Sequence, residues 1–298
     1  MNRLGILSII SILFFTMSSQ AQRMQAVYGK VKDGKITNLK ELAKARYVDF
    51  GSQKSLVDLK EIKGLKAVQK LDLSQTGVVD ISPLRYCKYI TELHLNDTMI
   101  TDAKGLKYLK KLKKLYIHDT KLVKADDLKG LKYLEELHIQ NSEIKDLSFL
   151  RGMRSLKVLN IYGTKVEKLD ELKQVTNSLE KLIAGKIPAK DYSVLPTLKK
   201  LYDLNLAEFK PETIDFLKGM TKLKSLSLNS GFIKSYEVLN TLTNIERIDL
   251  ANSNAETLKP LYGLKKLIFV DIEDAEISND EFKKFVFQSH HDCRVNRG

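Results

Sequence analysis

The 298 residues include no tryptophan, two cysteines and five prolines. Few prolines and an apolar share of 43 % argue against a disordered chain. The missing tryptophan weakens any reading as a carbohydrate-stacking surface. No nucleophile elbow, glycine-rich phosphate loop or H-E-x-x-H motif is present, so the usual signatures of acyl transfer, nucleotide binding and zinc hydrolysis are all missing. Ser74, His94 and Asp72 could be assembled into a triad on paper, but without a pocket to exclude water that grouping has no catalytic meaning. Beyond the N-terminus no run is apolar enough to span a membrane.

What is present begins with an address. "MNRLGILSIISILFFTMSSQAQ" carries Arg3, an apolar run from Leu4 to Met17, and then small and polar residues with Ser19 and Ala21 in A-x-A-like spacing. This predicts a secretory leader over 1–21, cleaved before Gln22. Fourteen apolar residues at about 1.5 Å each reach about 21 Å, short of a roughly 30 Å hydrocarbon core. A secreted, periplasmic or cell-surface protein is therefore expected, with no transmembrane segment in the mature chain. The formal net charge is +13, which by itself fits nucleic acid, an anionic surface or a solvated lysine-rich exterior.

The stretch "LDLSQTGVVDISPLRYCKYI" (71–90) matches neither a helical nor a strand period. It makes sense as one turn of a repeat. Leu71, Leu93, Leu115, Leu137 and Leu159 recur at intervals of 22, and after one 23-residue step the series continues through Leu182, Leu204, Leu226, Ile248 and Val270. A second apolar residue follows two positions later almost every time, with Ala184 the weak member. A period in the twenties means a solenoid, in which stacked coils bury a face that one coil cannot. Within the coil, Leu71 and Leu73 point inward from a short strand, and Val78, Ile81, Leu84, Cys87 and Ile90 point inward around the return arc.

These residues resemble the leucine-rich repeat family, in its 22-residue internalin-like bacterial class. The resemblance implies an α/β-type solenoid, a horseshoe with a parallel concave β-sheet and short arcs or 3-10 turns on the convex side. It covers about 46–275, with ten to eleven coils. One departure from the family pattern is clear. Where asparagine is usual, five residues after the aligned leucine, this chain has Thr76, Thr98, Thr120, Ser142, Thr164 and Ser253, and elsewhere Phe209, Gly231 and Ala275. A hydroxyl can serve part of the same backbone network. The coil "IAGKIPAKDYSVLPTLKK" is the least regular and is expected to depart locally.

Open solenoid ends need covers. An N-terminal cap is expected over 22–45, with a hairpin turning at Asp33-Gly34 and a short helical stretch through Leu39 and Leu42. A C-terminal cap is expected over 276–298, where Ser278 and Glu281 stand in capping-box spacing, Phe282, Phe285 and Val286 share a helical face, and "CRVN" closes the sheet. Cys87 takes a core position equivalent to Leu109, Leu131 and Met153. Cys293 lies beyond the last repeat, roughly 40 Å away at about 4.8 Å per coil, which rules out a bridge between them. The His290-His291-Asp292-Cys293 cluster looks metal-like but has no further partner, so no metal or other cofactor is assigned.

Function is sought on the concave sheet. Its outward positions carry eleven acidic and five basic residues, the reverse of a nucleic-acid groove, and no nucleic acid is expected. The basic surplus lies on the arcs, in runs such as "KGLKYLKKLKK". Asp72, His94, Tyr116, His138 and Asn160 form one concave column. Asn96, His118, Gln140 and Tyr162 follow Ser74 in the next. Tyrosine and histidine offer apolar bodies with polar tips, the chemistry of recognition surfaces. The sequence thus predicts a non-enzymatic binding protein that grips a protein partner at these residues. The alternative is an adhesin-like envelope or glycan-binding protein held by its lysine-rich convex face.

Overall fold

The computed structural model describes residues 25–289 and 293–298. The leader expected over 1–21, and His290, His291 and Asp292 of the C-terminal cluster, lie outside the described residues. The main sheet contains β1 (Val27–Tyr28), β4 (Tyr47–Asp49), β5 (Lys70–Asp72), β6 (Glu92–His94), β7 (Lys114–Tyr116), β8 (Glu136–His138), β9 (Val158–Asn160) and β10 (Lys181–Ile183). It continues through β11 (Asp203–Asn205), β12 (Ser225–Ser227), β13 (Arg247–Asp249), β14 (Phe269–Asp271) and β15 (Arg294–Asn296). All thirteen strands pair in parallel and lie in chain order, with β2 and β3 intervening in the chain between β1 and β4. A separate hairpin joins β2 (Val31–Lys32) to β3 (Lys35–Ile36).

The register shows why the period is 22. Leu71 faces Leu93, Leu93 faces Leu115, and each aligned apolar residue continues to face its equivalent as far as Ile248 and Val270. The 23-residue step keeps this register, since Leu159 still faces Leu182. The arc of that coil holds the longest 3-10 turn, Asp170–Val175. The following coil, expected to be irregular, keeps its strand pairing and differs instead in its filling. There Tyr192 packs against Phe209 and Phe216, with ring centroids 4.9 and 5.4 Å away.

Two devices hold each turn as it leaves the sheet. The residue four after the aligned leucine adopts a left-handed backbone: Gln75 (φ 56°), Asp97 (φ 56°), Asp119 (φ 53°), Asn141 (φ 53°), Lys186 (φ 52°) and their equivalents onward, with Gly163 (φ 66°) in β9's coil. The next residue is the hydroxyl that replaces asparagine. Thr76, Thr98 and Thr120 donate to the carbonyls of Leu73, Leu95 and Ile117 at 2.7, 2.7 and 3.0 Å. Ser142, Thr164 and Ser253 repeat the bond at 2.6–2.7 Å. All six are buried, so the hydroxyl supplies one arm of the network and gives an enclosed carbonyl a partner; at Thr164 the backbone N–H bonds the same Ile161 carbonyl as well. Where the side chain cannot, as at Gly231 and Ala275, the backbone N–H of the same residue bonds that carbonyl.

The core is one unbroken column running from Ile36 to Phe285. Leu71, Leu73, Val78, Ile81, Leu84, Cys87 and Ile90 are all buried. Burial pushes the Cys87 thiol up to about 12, which makes it an unreactive core group. At the first end, Asp33 and Gly34 both take positive φ, as a two-residue hairpin turn requires. β1 was not anticipated: it adds to the main sheet beside β4. Helix α1 (Leu39–Leu42) follows the hairpin. At the far end, helix α2 (Asn279–Gln288) starts at Ser278, whose side chain accepts from the Glu281 N–H. The capping box is only half made. The Glu281 carboxylate reaches the last arc instead and accepts from Thr257 Oγ1, Leu258 N and Tyr262 Oη at 2.8, 2.9 and 3.0 Å. Of the expected helix face, Phe285 is buried and Phe282 packs against the core, but Val286 is 51 % exposed. Tethering through Glu281 rotates α2 so that Val286 leaves the interface.

Candidate binding face on the concave sheet

The outward residues of β6, β7 and β8 bring three rings together. His94 stacks on Tyr116 at 4.5 Å between centroids with planes 16° apart, and Tyr116 stacks on His138 at 4.8 Å and 15°. Parallel strands in register place equivalent side chains about 4.8 Å apart, close to the stacking distance of flat rings. The regular repeat therefore builds the stack directly.

Charge pairs on the neighbouring column fix the rings in place. Glu92 accepts from Lys70 at 2.7 Å and from His94 Nε2 at 2.8 Å. Glu136 takes the Tyr116 hydroxyl at 3.0 Å and Lys114 at 2.6 Å. The His94 hydrogen bond, with Lys70 beside it, holds the Glu92 carboxyl down at about 2 against the opposing effect of burial. Burial, and then the Glu136 carboxylate, raises the Tyr116 phenol. Burial also pushes His138 down to about 4, with Glu136 pulling the other way. His138 is therefore neutral at physiological pH.

The column containing Asn96, His118, Gln140 and Tyr162 is more open. Asn96 bonds Asp97, and His118 Nδ1 lies 2.6 Å from Asp119, which also accepts from Asn141 at 2.7 Å. The Tyr162 hydroxyl donates to Glu208 across the intervening strand, and Lys186 pairs with the same carboxylate at 3.0 Å. Burial and the Glu208 bond push Tyr162 up to about 12. Gly185 and Ala207 continue this column, and Lys186 Nζ lies 5.9 Å from the Tyr162 ring centroid. The Gln140 Oε1 atom is enclosed and accepts no hydrogen bond from the described residues.

Asp72 and Asn160 flank the ring stack in a different role. Each accepts a hydrogen bond from the backbone N–H two residues on, that of Ser74 at 2.8 Å and that of Tyr162 at 3.1 Å. Asp49, Asn205, Asp249 and Asp271 make the same bond in other coils. In this column they form a structural series of side-chain caps, which His94, Tyr116 and His138 interrupt with groups that cannot serve that way. Asn160 is buried and Asp72 is committed to its cap, so the open part of the patch lies between them.

Lys70, Glu92, Lys114, Glu136 and Glu208 belong to the same surface, although sequence reasoning treated them only as concave charge. Their Lys-Glu-Lys-Glu alternation down successive strands was the available signal. Four of the five concave basic residues, Lys70, Lys114, Lys181 and Lys186, are paired with a carboxylate on the next strand. Arg247 makes no ion pair among the described residues, but the remaining unpaired charge is acidic and concentrated at Asp249, Asp271, Glu273 and Asp274.

The family profile described as Endo-beta-N-acetylglucosaminidase EndoS LRR domain matches residues 84–183. An internalin from Listeria monocytogenes superposes with a TM-score of 0.70 at 22 % identity, over 89 % of this chain and 84 % of that one. The fold is a leucine-rich repeat solenoid, similar to that of this internalin. A second Listeria monocytogenes internalin, C2, gives a TM-score of 0.53 at 20 % identity, over 71 % of this chain and 82 % of that one. The leucine-rich repeat ectodomain of the Arabidopsis thaliana receptor kinase GASSHO1/SCHENGEN3, solved in complex with CASPARIAN STRIP INTEGRITY FACTOR 2, gives 0.55 at 19 % identity. There the match spans 83 % of this chain and 34 % of that one. No curated protein matches by sequence. Among the described residues no helix is long and apolar enough to cross a membrane.

Proposed function

We propose that this leucine-rich repeat protein is an exported, non-enzymatic binding module that holds a protein partner on the N-terminal half of its concave sheet. In this reading 1–21 is a cleaved leader, 22–45 and 276–298 cap the ends, and the coils of 46–275 are the recognition scaffold. The observation that carries it is the ring stack. His94, Tyr116 and His138 are held in one conformation by mutual stacking and by Glu92 and Glu136. A partner meeting them orders little further side-chain motion, which favours tight association. Gln140 supports the reading, because a donor from a partner would satisfy its enclosed oxygen. The internalin-type fold and the complex of the plant ectodomain support it by analogy of fold.

The stack also argues against a sugar lying on Tyr116, since both faces of that ring are covered by imidazoles. All three rings stay partly exposed, which suits the side chains and backbone of a protein. The test is a pull-down from envelope and culture fractions with wild type and Tyr116→Ala/His138→Ala in parallel. A protein captured by wild type and lost with the variant supports the reading. Equal capture by both overturns it.

A further inference from the structure

A second surface lies at the edge where each arc returns to the sheet. The segments "RYCKY" (85–89), "KYLKK" (107–111), "KGLKY" (129–133) and "RGMRS" (151–155) occupy equivalent positions in four successive coils. Together they hold nine basic residues and no acidic one. Every one of the nine is exposed. Only Lys107 and Lys129 make ion pairs among the described residues, with Asp127 and Asp126 respectively. Tyrosines stand among them as shelves: Lys111 Nζ lies 4.4 Å from the Tyr89 ring centroid and Lys132 Nζ 4.9 Å from that of Tyr133. Tyr89, Lys111 and Tyr133 are direct equivalents 22 residues apart, so ring, ammonium and ring succeed one another along the stack.

The same column continues into the C-terminal half. Lys200, Lys222 and Lys266 are its equivalents there, and with Tyr202, Asn244, Lys224 and the Glu246 that Lys224 pairs with at 2.9 Å they line a shallow groove of about 340 Å³ in which cations outnumber the one carboxylate. The arc segments between, 173–177, 196–200, 218–222, 240–244 and 262–266, also contain no acidic residue. A basic track thus runs lengthwise down one edge of the solenoid while the unpaired charge of the concave face is mainly acidic.

We propose that this edge binds a linear anionic polysaccharide, carboxylated or sulfated, laid along the axis of the coils. The arrangement is one-dimensional and repeats roughly every 5 Å, as a chain-like ligand requires. The tyrosines offer flat apolar faces of the kind that meet sugar rings, and each orders a neighbouring cation. A flat lipid surface fits less well. The exposed large apolar residues of these four segments are all tyrosines, Tyr86, Tyr89, Tyr108 and Tyr133, with no aliphatic side chain among them to insert and, among the described residues, no amphipathic helix beside them.

The experiment measures binding of the protein to immobilised heparin, to neutral dextran and to phosphatidylglycerol–phosphatidylcholine vesicles over a salt series. Three variants are compared: Lys110→Ser/Lys111→Ser/Lys132→Ser on the edge, Tyr89→Ser/Tyr133→Ser on the shelves, and Lys121→Ser/Lys145→Ser/Lys165→Ser on the opposite flank as a charge-matched control. Wild type should bind heparin and neither dextran nor vesicles. The edge triple should lower the log–log salt slope by about 2, at roughly 0.7 per contact for a single-stranded polyanion. The tyrosine double should weaken binding about fivefold or more at an unchanged slope. Equal losses in the edge and control triples would show diffuse charge attraction and overturn the proposal. Wild-type affinity in the tyrosine double, or capture by vesicles in preference to heparin, would overturn it as well.

Discussion

Acidification should destabilise this protein through His138 well before its carboxylates protonate. The imidazole is shielded by Tyr116 and its neighbouring strands, and burial holds its folded-state value near 4 against 6.5 in the open chain. Between those values the unfolded chain binds a proton that the folded chain refuses. Stability therefore falls as pH drops below 6.5 and levels off near 4, with the full contribution present above 6.5. The slope for one proton is about 1.4 kcal/mol per pH unit, which sets a ceiling of about 3 kcal/mol over the window. His138→Phe keeps a flat ring in the stack and removes the titration. Urea unfolding midpoints measured across this range should fall less steeply for His138→Phe than for wild type, by up to that amount. NMR titration of the His138 ring gives the same quantity directly. Parallel stability curves for the two proteins, or a ring that titrates near 6.5 in the folded state, would refute the burial assigned to His138.

Three further perturbations probe the frame. Thr98→Val leaves the buried Leu95 carbonyl without its 2.7 Å partner and should cost about 1–3 kcal/mol in urea unfolding, whereas Thr98→Ser, which keeps the hydroxyl, should cost about 1 kcal/mol or less. Glu281→Ala removes the acceptor shared by Thr257, Leu258 and Tyr262, so hydrogen exchange in α2 and the last arc should speed up while β5–β8 keep their protection. Gly185→Ala places a Cβ 2.1 Å from the Ala207 carbonyl oxygen; forcing β10 and β11 apart should cost about 1–3 kcal/mol, read from the same unfolding curves.

The fold was legible because a solenoid writes its architecture as a spacing. Leu71, Leu93 and Leu115 face one another in the sheet because a 22-residue coil returns each to the same place, and no long-range guess is needed. The hydroxyl substitution at Thr76 and its equivalents was readable for the same reason. The left-handed residue just before it is marked only in part: Asp97, Asp119, Asn141, Gly163, Asn252 and Asp274 are residue types that tolerate positive φ, whereas Gln75, Lys186, Glu208 and Ser230 are not. There the backbone path of the coil overrides residue preference. The half-made capping box escaped notice because Ser278 and Glu281 satisfy the local pattern while the carboxylate has better partners in the previous coil. Val286 was misplaced with it, since one tertiary tether sets the rotation of the whole helix. β1 was missed because two residues, Val27 and Tyr28, carry no period.

The candidate patch divides along the same line. The columns that gather His94, Tyr116, His138, His118 and Tyr162 follow from the repeat. That the first three stack into a rail, and that Asp72 and Asn160 are spent on backbone caps, depends on rotamers and on Glu92 and Glu136, which a column count cannot supply.

Contact between the concave rail and a protein partner can be read out by site-directed photo-crosslinking. A photoreactive residue replacing Gln140, beside the rings, is compared in envelope fractions with the same residue replacing Lys145 on the opposite flank. Position 140 should give a discrete protein adduct that Tyr116→Ala/His138→Ala abolishes, and position 145 none. Adducts from position 145 alone, or an adduct at 140 that survives loss of the rings, would contradict that contact.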